Sequence, residues 1–157
     1  MGGSAEAVGE HTIASADLKA EIVDSDLASF ALGSATFKAA AEGGPEYATA
    51  YTYCDVSGAD FVFTKTTTKT GANWEEATTK VFAVDFAYLD TGTPIYVTPE
   101  ASYTYDNYKK VAGGNIATAD FEVQVSAEDT LADVYAAAVA IEDVYSGSSI
   151  DATLAIG

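Results

Sequence analysis

The sequence predicts a mainly β protein: an antiparallel β-sandwich or small barrel with one α-helix in its C-terminal half. Six or seven segments alternate side-chain types over strand length, and turn signals recur about every ten residues. A single late stretch has helical spacing instead. An α+β sheet with that helix packed on one face is the alternative.

The N-terminal third contains an arm, a strand and a short helix in this interpretation. Residues 1–10 are small, polar and glycine-rich, which predicts a flexible arm before a single β-rich domain over 11–157. The alternation over 17–23 predicts a strand. Residues 26–32 follow a capping aspartate and serine, and predict a short helix that ends at Gly33.

The centre of the chain predicts strands over 47–54, 61–70 and 79–90. The first places Tyr47, Tyr51 and Tyr53 on one face and small residues on the other. The second is rich in β-branched and aromatic residues, and its Thr/Lys half is typical of a solvated arm or a lysine-guarded edge. A further strand over 119–126 precedes the predicted helix.

The helix is predicted over about 127–145. The residues before it resemble a capping box, with acidic side chains where the helix dipole favours them. Apolar residues then recur at helical spacing: Leu131, Val134, Tyr135, Ala138 and Ile141. After a glycine, Ile150, Leu154 and Ile156 alternate with polar or small residues and predict a strand that runs to the end of the sequence.

The charge excludes several partners. The chain has no arginine, 24 acidic residues against seven lysines, and a net charge of −17. Nucleic acids and anionic membranes both require a basic footprint, so neither is expected as a partner. The apolar runs are shorter than the roughly 20 residues that span a bilayer. The first residues show no signal peptide, which favours a protein made in the cytosol over a mature secreted domain with an artificial start.

The candidates for catalysis are isolated. His11 is the only histidine and lies beside the expected arm, and Cys54 is the only cysteine. A nucleophile needs a base and an orienting group at hand, so we expect no enzymatic activity and no required cofactor.

A calcium- or carbohydrate-binding β-module is one alternative. Asp55 and Asp60 flank a glycine turn and offer carboxylate oxygens, the ligands that Ca²⁺ prefers. Their spacing does not match an EF-hand loop, and turn formation explains the same residues. Trp74 beside Glu75 and Glu76 is the one aromatic–carboxylate cluster suited to a sugar.

Tyrosines and the two chain ends indicate assembly. Tyr103, Tyr105 and Tyr108 lie in a polar segment, and tyrosine is enriched at interfaces. The strand containing Ile150, Leu154 and Ile156, or the N-terminal arm, could complete the sheet of a neighbour. Because every subunit carries the same large negative charge, association should strengthen as salt rises.

The sequence therefore predicts a non-enzymatic structural subunit whose partners are copies of itself or other subunits. We expect a virion protein, such as a capsid decoration or tail-tube subunit. An extracellular or cell-surface filament joined by donated strands is the alternative.

Overall fold

The computed structural model describes residues 1–88, 93–127 and 129–156, and shows a mainly β, sandwich-like protein. Its strands are β1 (Gly2–Val8), β2 (His11–Val23), β3 (Ala28–Glu42), β4 (Tyr47–Tyr53), β5 (Phe61–Thr70), β6 (Trp74–Phe86), β7 (Ile95–Val97), β8 (Glu100–Thr104), β9 (Asn115–Ser126), β10 (Thr130–Ile141) and β11 (Tyr145–Ile156). Within the described ranges there is no helix, and so none that could cross a membrane.

Two sheets form the sandwich. Sheet A has the order β10-β11-β1-β4 and is antiparallel throughout. Sheet B has the order β7-β5-β6-β3-β2-β9, and β8 continues the edge that β7 begins beside β5. The four central strands of sheet B, β5-β6-β3-β2, are antiparallel, but β9 runs parallel to β2, and both β7 and β8 run parallel to β5.

The predicted helix over 127–145 is wrong, because this stretch contains β10 and the turn into β11. All 12 residues of β10 pair with β11, from Thr130↔Ile156 to Ile141↔Tyr145. The stretch also alternates with period two, and its β-branched residues pack well in strands. Asp143 makes the turn with a φ of 57°, a conformation that aspartate tolerates. Glu128, at the predicted helix start, lies outside the described residues.

The predicted N-terminal arm is also not what the structure shows. Gly2–Val8 forms β1, which lies between β11 and β4 near the middle of sheet A. Its small residues allow this, because Ala5 and Ala7 are fully buried between the sheets. The short helix predicted over 26–32 is replaced by a turn and the first residues of β3.

The core is built from alanine. Ten of the 13 residues in the main buried cluster are alanines, and the others are Leu18, Phe37 and Ile150. Phe37 of sheet B points at Gly3 of sheet A: a Cβ on Gly3 would lie 2.6 Å from Cε2 of Phe37 and 2.2 Å from the Tyr51 carbonyl oxygen. The two sheets therefore approach closely, and side chains larger than alanine fit between them at few positions.

One end of the sandwich is closed by a long crossing segment. The chain from Tyr105 to Gly114 runs from β8 to β9, and Asn73 anchors it. The Asn73 amide donates to the carbonyl of Lys109 at 2.8 Å and accepts from the Lys109 N–H at 2.8 Å. Val111, within this segment, is buried and donates its N–H to the Glu42 carboxylate at 2.7 Å.

We predict that Gly3→Ala lowers the free energy of unfolding by about 1–3 kcal/mol, because the new methyl group would overlap a backbone carbonyl and the Phe37 ring. Gly113→Ala is the control, since a Cβ there meets nothing within 4 Å. Urea denaturation of both variants tests this. Equal stability of Gly3→Ala and the parent protein would contradict the close approach of the sheets.

Candidate assembly surface

Tyr105 and Tyr108 hold the crossing segment in place. Tyr105 stacks on Trp74, with ring centroids 5.9 Å apart and an interplanar angle of 24°. The Tyr108 hydroxyl donates to the Glu46 carboxylate at 2.8 Å, and this hydrogen bond raises the pKa of Tyr108 to about 12. Tyr103 lies on edge strand β8 and is half exposed. The three side chains expose part of their surface, but two of them have intramolecular partners.

Trp74 does not offer a free ring face to a sugar. It is only 6% exposed: Tyr105 stacks on it, and the Lys109 Nζ lies 3.6 Å from its ring centroid. Its indole N–H donates to the Asn107 side chain at 3.1 Å. Glu76 is paired with Lys69 at 2.8 Å, so the cluster stabilises this end of sheet B.

The C-terminal strand belongs to its own fold. β11 pairs with β10 on one side and with β1 on the other, so it is an internal strand of sheet A. Ile150 is 1% exposed and Leu154 packs against the same core. The side chain of Ile156 lies outside the described residues. A strand in this position is not available for donation while the subunit stays folded.

Asp55 and Asp60 lie in the crossing from sheet A to sheet B. The Asp60 carboxylate accepts the backbone N–H of Phe86 at 2.9 Å, and its carbonyl accepts from Ile95 at 2.8 Å, so it closes the end of β6. Asp55 lies on the rim of an open cleft of about 760 Å³. Across the described parts of the chain, no three histidine, cysteine or acidic side chains are grouped to hold a metal ion.

His11 and Cys54 also lie apart. The His11 Nδ1 accepts the backbone N–H of Gly114 at 3.1 Å, where the crossing segment meets β2. Cys54 is partly buried, and burial raises the pKa of its thiol, which opposes the thiolate form that a nucleophile needs.

A contiguous aromatic patch covers one end of the outer face of sheet B. Strand register places nine apolar side chains there in two neighbouring rows: Ile95, Phe61, Val84, Phe30 and Val23 in one row, and Val97, Phe63, Phe82 and Leu32 in the other. Phe61 and Phe82 pack with ring centroids 6.4 Å apart. Leu32 is 47% exposed and Ile95 is 56% exposed. Within the described structure no element of the chain covers this aromatic patch.

The alternation in β6 explains why these residues point outward. Ala83 is buried against β3 and β5, so the neighbouring Phe82 and Val84 must face the other side of the sheet. The alternation in β6 is visible in the sequence, but the patch is not. Larger apolar residues are usually assigned to the core, whereas here they face outward. The sequence feature that indicated the outward position of these large side chains was the set of small residues that alternate with them, such as Ala83.

A row of lysines borders the aromatic patch. Lys65 of β5 and Lys80 of β6 lie directly opposite each other, and neither has a carboxylate within 4 Å in the part of the chain described here. Lys19, in the same row on β2, pairs with Glu122 at 3.3 Å. Like charges directly opposite destabilise a sheet, so Lys65 and Lys80 form a cationic pair to which the described residues supply no carboxylate partner.

The outer face of sheet A differs from that of sheet B in shape, because it is flat. Tyrosines lie flat over glycines: the Tyr145 hydroxyl lies 2.1 Å from where a Cβ on Gly147 would be, and the Tyr53 hydroxyl 2.8 Å from that of Gly2. Burial and a hydrogen bond to Asp151 raise the pKa of Tyr53. The result is a flat face that exposes aromatic, aliphatic and carboxylate groups.

Comparisons with protein families, curated proteins and solved structures find no match to this chain.

We predict that Glu76 contributes to stability at neutral pH and that acid removes this contribution. Burial alone raises the pKa of Glu76, but the hydrogen bond from Lys69 and the charge of Lys38 outweigh it, so its pKa is below the ordinary 4.5. The stabilisation is therefore complete above pH 4.5 and is lost as pH falls through the lower folded-state pKa.

Glu76→Gln should then show a shallower loss of unfolding free energy on acidification than the parent protein. Glu122→Gln is the control, because the exposed Lys19–Glu122 pair should contribute about 0–1 kcal/mol. Urea denaturation from pH 7 to pH 3 provides the comparison. Parallel curves for Glu76→Gln and the parent protein would show that the pair with Lys69 does not stabilise the sheet.

Proposed function

We propose that this protein is a non-enzymatic structural subunit that assembles through the outer face of sheet B. The observation that carries the proposal is the aromatic patch: eight of its nine apolar side chains are partly or largely exposed and Val84 is 6% exposed, in a protein whose interior is mostly alanine. Large exposed apolar patches in folded proteins mark interaction sites. The same residues would have stabilised the monomer more if they faced inward.

The energetics favour an assembled state. Burying a whole Phe, Leu or Ile side chain contributes about 1.5–3 kcal/mol, whereas an alanine methyl contributes about 0.8 kcal/mol. The sandwich therefore gains little per core residue, and a second apolar layer becomes available only when another molecule covers the aromatic patch. Association would add that layer to the small core.

The kind of assembly is a narrower proposal. A virion subunit, such as a capsid decoration or tail-tube protein, is the first candidate, since neither role requires catalysis or a cofactor. An extracellular filament remains the alternative. Joining by donation of the C-terminal strand is less well supported, because β11 lies inside sheet A. Electron microscopy of the assembled protein would distinguish closed rings and tubes from linear filaments.

We predict that Leu32→Thr combined with Ile95→Thr weakens self-association by about tenfold or more. Both side chains are exposed, and threonine is β-branched and suits a strand, so the fold should persist while apolar contact is lost. Sedimentation velocity over a range of protein concentrations measures the change in association.

Val144→Thr is the matched control, because Val144 is 51% exposed in the turn before β11 and far from the aromatic patch. Circular dichroism should show both proteins folded. A parent protein that stays monomeric at high concentration, in high salt and with divalent cations would overturn the proposal. A patch variant that assembles like the parent would show that another surface carries the association.

A further inference from the structure

Most lysines of this protein lie on one outer face of the sandwich. The outer face of sheet B carries five of the seven lysines, at positions 19, 38, 65, 69 and 80, together with six acidic residues. The outer face of sheet A carries Glu6, Asp133 and Asp151 and no lysine. In a chain with a net charge of −17, five lysines nearly balance the six acidic residues on the outer face of sheet B.

Lys65 and Lys80 define what a partner must supply. They lie opposite each other beside the aromatic patch, and within the described chain neither has an ion-pair partner. A surface that covers the patch would desolvate both ammonium groups, which is costly unless carboxylates accompany the apolar contact. The partner surface must therefore combine apolar groups with acidic ones.

The outer face of sheet A has this combination. Asp133 on β10 and Asp151 on β11 lie in adjacent rows, because Asp133 pairs with Thr153 and Asp151 pairs with Tyr135. Exposed apolar side chains surround them: Leu131 is 54% exposed and Tyr135 is 72% exposed. The tyrosines that lie over Gly2 and Gly147 keep this face flat, as packing against a second sheet about 10 Å away requires.

We propose that subunits stack face to tail: the outer face of sheet B in one copy packs on the outer face of sheet A in the next. Lys65 and Lys80 then meet Asp133 and Asp151 of the neighbour, and the aromatic patch meets its Leu131 and Tyr135. This inference rests on the proposed assembly function and names its geometry. The contact joins two different surfaces, so it propagates into a ring or a filament instead of ending at a two-fold dimer.

Two charge-reversal variants test the stacking. Lys65→Glu with Lys80→Glu alters the sheet B face, and Asp133→Lys with Asp151→Lys alters the sheet A face; all four side chains are exposed. Each variant alone should associate at least about tenfold more weakly than the parent protein, because like charges then meet across the contact. Sedimentation velocity at one fixed ionic strength gives the association constants.

Mixing the variants gives the sharper result. The lysine variant (Lys65→Glu with Lys80→Glu) keeps its sheet A face and the aspartate variant (Asp133→Lys with Asp151→Lys) keeps its sheet B face, so an equimolar mixture should form 1:1 heterodimers. The two altered faces carry opposite charges after the exchange, so these heterodimers should also associate with one another into alternating assemblies. Circular dichroism and urea midpoints check that each variant is folded. If loss of the Tyr53 contact unfolds the Asp151→Lys chain, Asp133→Lys alone replaces it.

Three results would overturn the face-to-tail contact. An aspartate variant that assembles like the parent, together with a lysine variant that does not, would indicate a two-fold contact between sheet B faces. Two variants that both assemble normally would place the contact elsewhere, as would two weakened variants whose mixture forms no heterodimer. In each case the proposed function survives if Leu32→Thr with Ile95→Thr still weakens association. It fails together with the inference if the parent protein never associates, and its assignment to sheet B fails if the Leu32→Thr with Ile95→Thr variant assembles like the parent.

Discussion

The close approach of the two sheets over alanine side chains is the constraint on which the rest of this structure depends. Gly3 has no space for a methyl group between the Tyr51 carbonyl and the Phe37 ring, and the residues around this contact are mostly alanine. An interior of this kind excludes large side chains at most positions. In a strand, whatever cannot point inward must point outward, since successive side chains alternate between the two faces.

The outward position of the large apolar residues follows directly. Phe82 and Val84 flank the buried Ala83, and the strands beside β6 repeat the pattern, so large side chains accumulate on the outer face of sheet B. A subunit built in this way has its smaller apolar layer inside and its larger one outside. This arrangement leaves large apolar side chains in contact with water, which is the basis of the proposed assembly.

Charge then limits how neighbours can approach. A molecule with a net charge of −17 repels its copies over most of its surface, and the lysine-bearing face of sheet B is where that repulsion is weakest. The aromatic patch lies on this same face, next to Lys65 and Lys80. On the proposed assembly function, apolar attraction and the weaker local repulsion would therefore act together on this face. The ion pairs around Glu76 stabilise the sheet under it.

Sheet A joins parts of the chain that are far apart in sequence. β1 pairs with β11, with Gly2 opposite Asp151, and β10 pairs only with β11 and forms the edge of the sheet. Non-local pairing of this kind slows folding, because loop closure precedes the contacts that stabilise it. The same pairing places Thr130–Ile141 in a strand, although apolar residues in this stretch also recur at helical spacing.

The sequence by itself determined the mainly β class, the strands β4 and β5, the alternation in β6, the terminal strand and the charge. These depend on local patterns of period two and on composition, which need no knowledge of partners. Only the tertiary structure decided that Gly2–Val8 is an internal strand, that 130–141 pairs as β10, and that Tyr105 covers Trp74. It also decided which face of each strand is inside. The physical reason is that alternation shows two faces but not which one is buried, and here the close contact between the sheets selects the alanine face.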